Sequence, residues 1–259
     1  MFCIIEYITY KELTLSHIIL LFILATSLIA TDISAKYKVS FGIFGQIGIA
    51  KTNLHVENKK YKITIHAKTT GMANLLSGER EEWYVSSGKI DNDGILVPDY
   101  YQKTVQRYSS HEGETVLKKD IKKYIFSHDT KELHVEQTKQ KGKQVTYEKK
   151  DGDYYAPNDL LSLFFNFKKM LPSLEVKTES TFYAVGANKT DGRIDVKPLL
   201  VKDEFDWKSG HLMRVIVNDD IFSSDKGELL INLRDDGLCQ QAILKDVLFF
   251  GDIRGEMID

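Results

Sequence analysis

Between Pro157 and Pro172 the chain reads Asn-Asp-Leu-Leu-Ser-Leu-Phe-Phe-Asn-Phe-Lys-Lys-Met-Leu, its clearest helical pattern. Leu160, Leu163, Phe164 and Phe167 recur at helical spacing, Leu161 and Phe165 widen the stripe, and Ser162, Asn166 and Lys169 are expected on the opposite side. Asn158 or Asp159 can cap the first turn and Pro172 disfavours a helical Leu171, so the pattern predicts one helix over residues 158–171. So broad an apolar face has to be covered.

Most of the remaining chain alternates. Residues 60–68 place Tyr61, Ile63, Ile65 and Ala67 on one face and lysines, Thr64 and His66 on the other, which predicts a half-buried antiparallel strand. Residues 36–50 read as a single strand bent at Gly42, Gly45 and Gly48. Residues 83–87 and 95–105 follow around the turn Asp91-Asn92-Asp93-Gly94, with Pro98 marking an edge or a break. A lysine-rich meander is expected over 114–149, and after Pro172 strands over 180–185, 194–201, 212–217, 228–233, 241–244 and 249–256. A dozen or so strands with one helix predict an all-β, mainly antiparallel fold: a strongly curved sheet or incomplete β-barrel with the helix packed on it or plugging it.

Composition adds a location. Residues 18–30 are apolar and uncharged, too short for a comfortable membrane span, and small residues follow at Ala30 and Ala35. A signal peptide over residues 1–35 and one β domain over 36–259 are expected, exported to the periplasm; an uncleaved inner-membrane anchor is the alternative. Without residues 1–35 the 35 basic and 37 acidic residues become 34 of each. Charge is unevenly spread, with 12 Lys/Arg against 7 Asp/Glu over 103–150 and 6 against 13 over 203–259. Two solvated faces explain this, and residues 118–150 are the expected place for any peripheral contact with an anionic membrane. Cys239 would stand alone once Cys3 leaves with the leader.

The Gly-rich stretch 37–50 with the strand at Tyr61, the run Gly-Ile-Leu-Val-Pro-Asp-Tyr-Tyr at 94–101, Asp-Leu-Leu-Ser-Leu-Phe-Phe at 159–165, and the close from Asp235-Asp236-Gly237 to Gly251-Asp252-Ile253 resemble the exported bacterial proteins of the DUF3108 family, in this order and over nearly the whole mature chain. Leu238-Cys239 stands where members often have Leu-Pro. The resemblance implies a periplasmic β-rich protein of unknown activity and supplies no catalytic residues.

Chemistry is sparse. The histidines do not recur at metal-ligand spacing, and the calcium-like Asp91 turn has Gln102 where the twelfth-position acid belongs. His128 and His134 flank one turn and are read as solvated. No nucleophile elbow, phosphate loop or nucleic-acid motif occurs, and no cofactor or metal is expected. The cluster Gly-Glu-Arg-Glu-Glu-Trp at 78–83 is the most suggestive polar group: Trp83 beside charges can line a pocket or enter the core. The leading expectation is a non-enzymatic envelope protein holding a lipid or acyl chain in its concave face, lined by Trp83, Leu161, Phe164 and Phe165. The alternatives are an assembly factor with a filled core that meets an envelope protein and, third, a hydrolase built on acids such as Glu79, Glu81, Glu82, Asp235 or Asp236.

Overall fold

The computed structural model describes residues 32–111, 114–188, 190–199, 206–217, 227–247 and 251–259. The expected leader and the ends of two predicted strands, at 200–201 and 249–250, lie outside the described residues. Strand β1 (Ile33–Phe41) turns through Gly42–Phe44 into β2 (Gln46–Glu57), followed by β3 (Lys60–Thr69), a short helix α1 (Gly71–Leu76), β4 (Glu81–Ile90) and β5 (Leu96–His111). Then come β6 (Glu114–Ser127), β7 (Glu132–Lys141), β8 (Gln144–Asp151), β9 (Asn158–Asp159) and helix α2 (Leu160–Met170). The chain ends in β10 (Ser180–Val185), β11 (Arg193–Pro198), β12 (His211–Ile216), β13 (Glu228–Leu233), β14 (Cys239–Leu244) and β15 (Ile253–Met257).

The fifteen strands of the described residues belong to one ladder, ordered β8-β7-β6-β5-β4-β3-β2-β1-β15-β14-β13-β12-β11-β10-β9. Every pairing is antiparallel except β9 with β10. The first strand and the last meet in the middle, Tyr37 opposite Met257. Curvature closes the ladder on itself without joining its ends. β5 and β10 lie far apart in the ladder, yet a side chain at Gly186, just after β10, would bring its Cβ to 3.2 Å from Tyr101 on β5. The protein is thus an open, curved, mainly antiparallel sheet with a short helix in its hollow, as the alternation predicts.

In β3 the alternation holds residue by residue: Tyr61, Ile63, Ile65 and Ala67 are buried. The stretch 36–50 is not one bent strand but a hairpin, because Gly42 and Gly45 take φ of +42° and +66°, open to glycine, and reverse the chain. Pro98 marks a bulge rather than an edge. It lies inside β5, where the register with β4 shifts between Ser87 and Gly88, and a Cβ at Gly88 would meet the Val97 carbonyl at 2.0 Å. β1 starts at Ile33, so cleavage after Ala35 would fall inside its pairing with β2.

Helix α2 is buried on all sides over its first two turns. Leu160 through Phe167 are all inaccessible, including Ser162 and Asn166, which the pattern placed towards water; Lys169 alone of that trio stays exposed. Asn166 is buried because it works as a strand neighbour: its Oδ1 accepts from Leu96 N–H and its Nδ2 donates to Leu96 C=O, both at 2.9 Å. Phe164 packs edge-on to Phe167 at 5.0 Å, within a cluster that includes Tyr37, Tyr84 and Tyr101. Truncating Phe164 to Ala is expected to cost about 3 to 5 kcal/mol, read as a lowered urea midpoint; a mutant that melts like the wild type would show the helix to be peripheral.

Candidate functional site: the inner face and its open edge

The inner face divides at β4. On the helix side, Asp159 caps α2, accepting from Leu161 N–H at 2.7 Å and Ser162 N–H at 3.0 Å, while Ser162 Oγ accepts from Asp159 N–H at 3.0 Å. Ser86 Oγ donates to the other carboxylate oxygen at 2.6 Å. With its one proton so used, Ser86 accepts from Tyr61 OH at 3.0 Å, giving a chain Tyr61 to Ser86 to Asp159. Burial pushes the Asp159 carboxyl from its ordinary value of 3.8 up to about 6, against the pull of these hydrogen bonds.

On the other side the inner face is ionic. Arg80 Nε donates to Glu82 at 2.6 Å, and Tyr84 OH donates to the second oxygen of the same carboxylate. Glu82 is 1% exposed, so this pairing answers a charge that water does not reach. Lys103, opposite Tyr84, holds its ammonium 5.8 Å from that ring's centre. Desolvation brings it down to about 8; Glu82 opposes the shift and Arg80 adds to it. Lys122 lies directly across from Lys103 and is also lowered, chiefly by desolvation, with its ammonium 4.9 Å from the Tyr124 ring. Asp120 accepts from Gln137 Nε2 at 2.9 and 3.1 Å. Arg80 and Glu82 thus form an ion pair, while the charges of Glu82 and Asp120 act on Lys103 and that of Asp120 on Lys122.

Two hollows open to the surface. One of about 350 Å³ lies between Lys36, Lys51, Thr64 and His66; another of about 300 Å³ lies between Leu133, His134, Asp151 and Tyr155. Neither adjoins α2, which fills the concavity where a ligand would sit. Among the described residues no group of three or more His, Cys, Asp or Glu side chains is placed to hold a metal ion.

The residues expected to line a pocket separate. Leu161, Phe164 and Phe165 are in the core. Trp83 points the other way, neither to the concave face nor into the core, and stacks on His66 with centres 5.0 Å apart and planes 4° from parallel. The acids scatter too: Glu81 meets His66 at 3.1 Å, Asp235 meets His211 at 2.8 Å and Asp236 meets Arg234 at 2.7 Å. His128 is not a solvated turn residue: its Nε2 donates to the Pro98 carbonyl at 2.6 Å, so Nδ1 is free to accept from Tyr155 OH, also at 2.6 Å. His134 instead meets Asp151 at 2.9 Å. The Asp91 segment is the turn it was read as, its Oδ1 accepting from Asp93 and Ile95 N–H. Cys239 is buried, its thiol pushed up to about 12 by desolvation. Sequence reasoning missed the inward row Glu82, Tyr84 and Ser86; the signal lay in its spacing of two, masked by Trp83 and Val85 on the outer face.

The edge is the remaining feature. β8 ends the ladder, all eight of its residues are exposed, and Val145 and Tyr147 share one face of it. Fold and site together define a β-barrel-like protein with an open seam and a buried helix in its hollow. No protein-family model matches the sequence, and no curated protein matches it. Among solved structures, it is similar to a crystal structure of a β-barrel-like protein of the domain of unknown function DUF1849 from Brucella abortus, at 11% identity and a TM-score of 0.46, over 90% of this chain and 98% of that one.

Asp159 gives this site a pH signature. Its raised value means that the folded state holds the proton more tightly than the unfolded chain, so this contribution to stability is full below about pH 4 and is lost as pH rises towards 6. Asp159→Asn is expected to flatten that slope in pH-dependent urea melts. Asp159→Ala, which strands Ser86 and two helix N–H groups, is expected to cost about 2 to 4 kcal/mol.

Proposed function

We propose that this is a non-enzymatic periplasmic protein of the cell envelope that works as a structural or assembly factor, binding a protein partner by its surface rather than holding a lipid inside. The observation that carries this reading is α2, whose buried Leu161, Phe164 and Phe165 occupy the concave face that a carrier would leave for its ligand. The resemblance to DUF3108 proteins fits the same reading. An extended segment of a partner would add to the sheet at β8, where main-chain groups are free to pair and Val145 and Tyr147 are open to cover.

Native mass spectrometry of protein extracted from the periplasm tests this. The expected mass is that of the polypeptide with or without a protein partner, and a lipid retained at one per chain would overturn the reading. Val145→Lys with Tyr147→Lys is expected to abolish the partner adduct while leaving the melting temperature unchanged, since both side chains are exposed.

A further inference from the structure

Helix α1 is built inside out. A short surface helix normally turns its apolar side chains inward. Here Met72, Leu75 and Leu76 are 70%, 74% and 68% exposed, and Ala73 packs against the core. The polar groups are used inside instead. Thr69 Oγ1 lies 3.1 Å from Asn74 Oδ1 and 3.0 Å from Ser77 Oγ, and Glu79 N–H donates to Asn74 C=O at 2.8 Å. These bonds, with Thr70 N–H to Ile47 C=O at 2.9 Å, hold the segment against β2, so the apolar side chains are presented from a fixed platform. Phe44, 56% exposed in the β1–β2 turn, lies on the same rim of the sheet.

That rim continues into a basic sector. Tyr108 N–H donates to Gly78 C=O at 2.7 Å, joining the loop after α1 to the end of β5. Across the strands Tyr108 faces Leu117, and Gly142 N–H donates to Leu117 C=O at 2.8 Å, so the β7–β8 turn is about 10 Å, two strand spacings, from Tyr108. Arg107, Lys118 and Lys141 lie side by side on one face of these strands, Arg107 opposite Lys118 and Lys118 opposite Lys141; Lys119 is on the other face and Lys143 is in the β7–β8 turn. None of the five forms an ion pair with a carboxylate among the described residues. Among the described residues Glu79, Glu114 and Asp120 are carboxylates near this sector, Asp120 two residues from Lys118 on the same face. Beyond Phe44 the rim turns acidic with Asp246 and Asp252, the latter paired to Lys245 at 3.1 Å.

We infer that this rim docks on an anionic lipid bilayer, with Met72, Leu75 and Leu76 entering the headgroup boundary and the adjoining lysines meeting lipid phosphates. The pairing of exposed apolar side chains with cations that no carboxylate of the described residues pairs is what such a surface recognises, whereas a neutral apolar partner would gain nothing from the cations. The inference is independent of what fills the interior.

The test uses the full chain and vesicles made of equal parts phosphatidylglycerol and phosphatidylcholine, or of phosphatidylcholine alone. Co-sedimentation with the anionic vesicles is expected to weaken roughly tenfold to a hundredfold in Met72→Ser/Leu75→Ser/Leu76→Ser, with melting unchanged. Lys141→Gln with Lys143→Gln is expected to weaken it about fivefold per lysine and to reduce its salt dependence. Because the apolar residues 18–30 can themselves seek lipid, a Leu75→Trp variant supplies a local readout: brominated lipid should quench it more than the wild type. Equal sedimentation of the triple variant and the wild type, or no added quenching in Leu75→Trp, overturns the inference. So does a dimer in sedimentation velocity that the triple variant dissolves while vesicles bind neither protein, which would assign the face to a second copy.

Discussion

A helix surrounded by protein cannot send its polar atoms to water, and that requirement organises this molecule. Asp159 and Asn166 lie at the two ends of the buried stretch of α2, and each finds its partner on a different strand. The carboxylate accepts a hydrogen bond from Ser86 on β4, and the carboxamide takes the place of a neighbouring strand at Leu96 on β5. An unmet polar group here would cost as much as a lost core contact. The two attachments fix the helix's position along β4 and β5, while the apolar side chains supply the bulk of the cohesion.

What was legible in the sequence followed from period. β3 could be read residue by residue because, from Lys60 to Lys68, its inner face carries Tyr61, Ile63, Ile65 and Ala67 and its outer face only polar side chains. β4 could not, because Trp83 and Val85 are outside and Glu82, Tyr84 and Ser86 inside, reversing the usual rule around a buried ion pair. The helix was found, but the side chains assigned to water were inside, since periodicity cannot foresee an asparagine acting as a strand neighbour. The hairpin at Gly42 and α1 were missed for a shared reason: each is a short turn whose geometry depends on positive-φ glycines and on contacts with β2. Of the expected lining residues, the three on α2 are together because the helix carries them; Trp83 is apart because of its parity on the strand.

The two helices solve opposite problems. α2 carries mostly apolar side chains and meets its few polar obligations within the sheet. α1 spends its polar side chains on its own attachment and leaves its apolar ones outside. The helix in the hollow thus turns its apolar side chains to the sheet, whereas α1 and the edge strand β8 turn theirs to the outside.

The meeting of β1 and β15 at the centre of the ladder has a consequence for how the chain is made. Synthesis delivers β1 to β8 as a series of neighbouring hairpins that can pair as they emerge, but β1 keeps one bare edge until β15 arrives. For most of its production the nascent sheet therefore carries an open strand in what will become its middle, the kind of edge that invites pairing with another chain. Sealing it requires contact between β1 and β15, which are far apart in sequence, the slowest sort of closure to find. Loss of the final strand would thus split the sheet at its centre rather than trim its border.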